Sequence, residues 1–212
     1  MNIDKFANYK VIFWDFDGTI KESNSIKTDA FEQLFQDFGG VLAKKIRQHH
    51  IDNEGVSRYI KIPKYMKWAG IATTEKKISY YCDMFSDLVV NKVVGCPWVE
   101  GVEEFLLSNP YNQKFILITA TPQDEINRIL SGMNCSNIFN TICGYPMNKH
   151  KVVSDYIHYK NTSCENILVV GDSYSDLLAA KKSNVEFCLR ITKNNKRVQM
   201  QHHGIRFKSL KL

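Results

Sequence analysis

Two aspartates one residue apart, Asp15 and Asp17, follow the apolar run Val11 to Trp14 in the segment Asp15-Phe16-Asp17-Gly18-Thr19. Side chains alternate along an extended chain, so both carboxylates can face one crevice, and Gly18 permits a sharp turn behind them. An aspartate can serve as a covalent nucleophile in phosphoryl transfer, dividing a slow hydrolysis into two easier displacements. A second carboxyl beside it can protonate the leaving oxygen and then take a proton from water. Taken alone, the pair fits a loop or turn equally well.

More acid follows the run Ile167 to Val170, in Gly171-Asp172-Ser173-Tyr174-Ser175-Asp176. Magnesium takes hard oxygen ligands and keeps several waters, so one or two carboxylates plus a phosphate oxygen suffice. Asp172 is the first choice for direct ligation. Asp176, one helical turn on, orients the metal's waters or joins its ligands, or else complements the helix dipole as a first-turn acid. After Phe115 to Ile118, the Thr119 hydroxyl and neighbouring backbone N–H groups, Ala120 among them, could hold phosphoryl oxygens. N-capping ahead of Pro122 explains Thr119 as well. Lys149 precedes a helical segment, where a fixed ammonium could stabilise charge on a phosphoryl group, and Lys151 competes for that role.

Three apolar runs, each ending in a polar loop that feeds a helical segment, imply a parallel sheet with right-handed crossovers and ligands at the carboxyl ends of its strands. The fold class is therefore α/β, a Rossmann-like parallel sheet core with an inserted, mainly helical cap domain. The expected boundaries are core at 1–20 and 96–212 and cap at 21–95. Within the insert, Ala30, Phe31, Leu34, Phe35 and Phe38 form one apolar face before Gly39-Gly40. Ile78, Tyr81, Cys82, Phe85 and Leu88 form another after Thr74 and Glu75. Cys96-Pro97 marks the return to the core, with a short helix from Gly101 to Leu107.

Specificity is expected in the cap and its hinge. Ser23, Ser25 and Lys27 lie where a hinge would face the crevice. Ser57, Arg58 and Lys61 form a polar cluster, with Arg58 and Lys61 on one helix face. They either meet an anionic part of the substrate on closure or form a solvated surface.

Hydrophobic residues at 44% and charged residues at 24% exclude a disordered or fibrous chain. No apolar run is long enough to cross a bilayer and the start lacks a signal-peptide pattern, so the chain reads as cytoplasmic with no membrane partner. The six scattered cysteines form no CxxC pair and read as reduced thiols. A net charge of +6 could draw phosphate-bearing molecules. The tail from Lys193 to Leu212 reads as a solvated edge with one last strand near Ile205 to Phe207, in preference to a nucleic-acid contact.

Asp15-Phe16-Asp17-Gly18-Thr19, Thr119, Lys149 and Gly171-Asp172…Asp176, in this order, resemble the four motifs of the haloacid dehalogenase-like superfamily. The insert after the first motif resembles the cap of its phosphoglycolate phosphatase and beta-phosphoglucomutase branches. The resemblance implies that Asp15 attacks phosphorus while Asp17 serves as acid and then base. It implies magnesium held by Asp15, the backbone carbonyl of Asp17, and Asp172, with Asp176 in support. Thr119, Ala120 and Lys149 would grip the phosphoryl group, joined by Gly18 and Thr19 of the nucleophile loop, which Thr19 would steady.

The expected function is magnesium-dependent hydrolysis of a small phosphomonoester, a sugar phosphate or amino-alcohol phosphate, by a monomer or homodimer. A phosphomutase and a nucleic-acid end phosphatase are the competing enzymes. A binding protein that lost turnover is a further alternative, disfavoured because every expected catalytic position is occupied.

Overall fold

The computed structural model describes Met1 and residues 3–211. One sheet holds six parallel strands: β1 (Val11–Trp14), β2 (Lys114–Pro122), β3 (Thr141–Tyr145), β4 (Ile167–Gly171), β5 (Glu186–Arg190) and β6 (Arg206–Phe207), in the order β3-β2-β1-β4-β5-β6. Strand β1 is buried along its whole length because it lies at the centre with helices on both faces. Its side chains alternate accordingly. Ile12 and Trp14 enter one apolar layer with Phe115, Leu117, Leu168 and Val170, while Val11 and Phe13 enter the other with Ile116, Ile118 and Val169.

Register explains why the motifs meet. Trp14 lies opposite Leu117 on one side and Val170 on the other, so the residues after each strand emerge at the same edge. Strand β2 runs on to Pro122, longer than the apolar run suggested, so Thr119 lies within the strand.

The helices α1 (Asn24–Leu34), α2 (Gly40–Asp52), α3 (Arg58–Trp68) and α4 (Glu75–Gly95) fill the interval after β1. Phe31 packs on Phe85 with ring centroids 4.2 Å apart, and Phe35 on Tyr65 at 5.9 Å. The expected face before Gly39 ends early: α1 stops at Leu34, a short 3-10 turn follows, and Phe38 is 43% exposed. The chain leaves and returns side by side. Glu22 N–H donates to Pro97 O and Val99 N–H to Ile20 O, both at 2.9 Å.

Beyond α5 (Val102–Ser108), helix α6 (Gln123–Gly132) follows β2, α7 (Lys149–Lys160) follows β3 and α8 (Tyr174–Lys182) follows β4. The tail is more than a solvated edge with a strand. It also contains α9 (Lys196–Gln201), whose Val198 joins the second apolar layer. No helix among the described residues is long and apolar enough to cross a membrane.

Candidate active site

At the carboxyl edge of the sheet, one oxygen from each of Asp15, Asp172 and Asp176 lies within 4.8 Å of the others, and all three residues are buried. Lys149, at the start of α7, inserts between two of them. Its Nζ is 2.7 Å from Asp15 Oδ1 and 2.6 Å from Asp176 Oδ1. Lys151 instead is exposed and pairs with Asp155. Asp176 sits in the first turn of α8, where its Oδ2 accepts from Ser173 N–H at 3.0 Å and Ser173 Oγ at 2.6 Å, a capping box.

Asp17 is held on both oxygens. Ser23 Oγ donates to Oδ1 at 2.7 Å; Lys27 Nζ and Thr121 Oγ1 donate to Oδ2 at 2.5 and 3.0 Å. Gly18 adopts φ 71°, and a Cβ there would stand 2.2 Å from Asp172 Oδ2, so only glycine fits the approach of the two loops. Thr19 is fully buried, and its Oγ1 has no hydrogen-bond partner among the described residues.

A crevice with about 50 Å³ of free space is lined by Asp15, Asp17, Lys27, Arg58, Lys61, Ala120 and Asp172, roofed by Phe31, His50 and Phe85. Thr119 and Lys149 line an adjoining recess of about 260 Å³ that shares Gly55, Val56 and Ala120 as a wall. Thr119 Oγ1 accepts from Thr121 N–H at 3.2 Å, while α6 begins after Pro122 with no side-chain cap, so Thr119 is not its N-cap. Ser25 faces a separate groove with Lys193 and Lys196. Arg58 and Lys61 share the buried face of α3 and are not a solvated surface. Arg58 pairs with Glu125 of α6, donates to Ser86 Oγ at 2.8 Å and lies over the Phe85 ring.

The haloacid dehalogenase-like hydrolase family profile matches residues 11–189. The chain belongs to this family. A phosphoglycolate phosphatase of Colwellia psychrerythraea is 24% identical over 193 residues, covering 86% of this chain and 84% of that one. Among solved structures, a beta-phosphoglucomutase from Clostridium difficile superposes with TM-score 0.73 at 16% identity, covering 95% and 91% of the two chains. A haloacid dehalogenase-like hydrolase from Streptococcus pneumoniae gives 0.67 at 15%, covering 95% of each.

In this haloacid dehalogenase-like hydrolase, the electrostatics of the acidic cluster favour a cation. Burial and then the Asp176 charge push Asp15 up to about 7, against the pull of Lys149. Burial and the charges of Asp15, Glu54 and Asp176 hold Asp172 well above the usual carboxylate range. Asp17 behaves oppositely: burial would raise it, but Lys27, Ser23 and Thr121 together hold it low. Hard oxygen donors with a surplus of buried negative charge suit magnesium, and Asp15 and Asp172 could hold it.

Several participants escaped the sequence reading. Thr121 had a signal, since alternation from Thr119 puts both threonines on one side of the strand. Asn24 Nδ2 donates to Asp172 Oδ2 at 2.7 Å. Glu54 and His50 line the crevice from the insert, and Asn195 reaches the Asp172 loop from the tail.

Proposed function

We propose that this enzyme is a magnesium-dependent phosphatase of a small phosphomonoester that works through an aspartyl phosphate on Asp15. The observation that carries this reading is the Lys149 ammonium set between Asp15 and Asp176, with Asp172 beside them, at the open edge of a parallel sheet. In the first step an Asp15 oxygen forms a bond to phosphorus and the ester P–O bond breaks. The departing alkoxide takes its proton from the Asp17–Lys27 pair. In the second step Asp17, the carboxylate of a pair that has given up one proton, removes a proton from water as the water attacks phosphorus, which restores the Asp17–Lys27 pair and frees Asp15 and inorganic phosphate. Lys149 and the backbone around Ala120 neutralise and orient the phosphoryl oxygens. Magnesium, held by Asp15, the Asp17 carbonyl and Asp172, would supply the remaining positive charge.

In this reading residues 1–20 and 96–212 are the core and 21–95 the cap. Cap and core touch through Asn24 and Asp172, Arg58 and Glu125, stacked Tyr59 and Tyr145 at 5.0 Å, and Ser175 Oγ donating to Gly55 O at 3.3 Å. The crevice beneath them is narrow, which supports a small ester over a nucleic-acid end, with the cap opening to admit it. The similarity to a phosphoglycolate phosphatase supports the same class. The free cysteines suit a reducing cytoplasm.

The test is phosphate release across a panel of metabolite esters with and without magnesium, with sugar phosphates also checked for isomerisation. Magnesium-dependent release from short esters is expected; isomerised sugar without free phosphate would replace hydrolase by mutase.

A further inference from the structure

A second groove opens at the carboxyl edge of the sheet, beyond β5, with about 680 Å³ of free space. Of the described residues only Asn24 lines both this groove and the catalytic crevice, so none of the catalytic aspartates faces it. Four cations line it, Arg190, Lys193, Lys196 and Lys208, against one carboxylate, Glu22. The three lysines are exposed and make no ion pair among the described residues.

Local structure gathers these charges. Strand register sets Arg190 opposite Phe207, and Ile191 N–H donates to Phe207 O at 2.7 Å, so Lys208 emerges beside the end of β5. The turn that carries Lys193 is pinned, since Asn195 Oδ1 accepts from Thr192 N–H at 3.0 Å and Gln199 Nε2 donates to Thr192 O at 2.9 Å. Like charges on a fixed backbone create a standing positive potential. Arg190 adds an unmet donor. The residue is 9% exposed, its Nη2 pairs with Glu22 Oε1, and its Nε is buried with no hydrogen-bond partner among the described residues. A guanidinium offers five N–H groups in a planar fork that matches phosphate oxygens, and one carboxylate oxygen does not fill it. The start of α1 adds a further positive end. Its N-cap Ser23 gives its hydroxyl to Asp17, and no acid stands in the first turn, so an 11-residue helix meets the groove uncapped at Asn24 and Ser25.

We propose that this groove binds a short phosphate chain, an oligophosphate or the phosphate tail of a nucleotide, outside the catalytic crevice. Four cations less one carboxylate leave a surplus that a single orthophosphate would not neutralise. No aromatic side chain lines the groove among the described residues, so bases have nothing to stack on, which favours the phosphate chain over single-stranded nucleic acid.

Titration calorimetry without magnesium, at ~0.15 M salt to screen weak surface contacts, compares tripolyphosphate, adenosine triphosphate, orthophosphate and a single-stranded oligothymidylate. Tripolyphosphate should bind once per chain, roughly tenfold or more tighter than orthophosphate. Adenosine triphosphate binding equally well assigns a nucleotide tail as an occupant, and its exclusion restricts the groove to free oligophosphate; either supports the site. Lys193→Ala/Lys196→Ala should weaken tripolyphosphate roughly tenfold, and Arg190→Lys, which keeps the charge and loses the fork, a few-fold. Lys44→Ala/Lys76→Ala removes the same charge from exposed positions elsewhere and should leave binding unchanged. No binding of tripolyphosphate, equal binding of orthophosphate, or equal losses in the two double variants overturns the assignment. So does tight oligothymidylate binding without tripolyphosphate binding, which makes the groove a nucleic-acid contact. None of these readouts involves turnover, so the site stands or falls apart from the phosphatase reading.

Discussion

Asn195, from the polar C-terminal tail, donates from Nδ2 to the backbone carbonyl of Asp172 at 2.7 Å and to that of Arg190 at 2.8 Å. It is buried, and it fixes the loop that carries the second acidic pair. Asn195→Ala should cost about 1–3 kcal/mol by leaving two buried carbonyls short of a donor. It should also weaken magnesium roughly 10- to 100-fold, because the ligand loop loses its brace. Denaturant unfolding and the magnesium dependence of phosphate release measure the two effects. A variant indistinguishable from wild type in both would show that the tail is dispensable to the site.

Gly18→Ala confronts the same loop from the other side. The added Cβ would meet Asp172 Oδ2 at 2.2 Å and Asn24 Nδ2 at 2.3 Å, at a φ that L side chains avoid. Both neighbours belong to the acidic centre, so relief of the clash must move Asp172 or Asn24. The expected result is a loss of about 2–4 kcal/mol in stability with a fall in turnover larger than that caused by Gly132→Ala. A Cβ at Gly132 meets only the Val94 side chain, at 3.1 Å.

Lys149→Met should lower turnover by about 10²- to 10³-fold, the range seen when one preorganised donor to a phosphoryl or oxyanion group is removed. It should also destabilise the metal-free protein by about 3–5 kcal/mol, since Asp15 and Asp176 are left without their shared cation. Magnesium should restore part of that loss. Lys151→Met is the control: its exposed pair with Asp155 contributes little, and neither activity nor melting temperature should change.

The catalytic edge was legible because it is built from local signals. Apolar runs set the parallel strands, and each acidic motif sits at a strand's end, so register brings Asp15 and Asp172 to one edge, where Lys149 joins them from the start of α7. The insert was legible as helices and not as surfaces. Arg58 and Lys61 share a face in sequence, yet burial against Phe85, Glu125 and His50 depends on how four helices pack on the core, which no local spacing records. Asn195 carried no signal at all: a lone asparagine in a basic tail looks solvated until long-range folding brings it under Asp172.

Lys61 also makes a prediction about stability that is separate from catalysis. Burial drives its ammonium down to about 7 from an ordinary 10.5, with the Glu54 charge opposing. Between those pH values the unfolded chain carries a proton that the folded chain lacks, so stability rises as pH increases from about 7 towards 10.5. Below about 7 both states are protonated and the penalty stays at its full size. Lys61→Met removes the titrating group while keeping most of its volume. The variant should therefore be more stable than wild type by roughly 2–4 kcal/mol at neutral pH, allowing for the lost bond to His50. That advantage should shrink steadily towards pH 10, as the wild-type protein gains what the variant never lacked. Paired urea titrations at pH 6, 7, 8.5 and 10, each ~1 to 1.5 pH units apart across the window, read the difference directly and cancel every other titrating group. A pH-independent difference would mean that Lys61 finds a compensating charge in the folded protein, and a wild type more stable than the variant at neutral pH would mean that its bond to His50 outweighs the cost of burial.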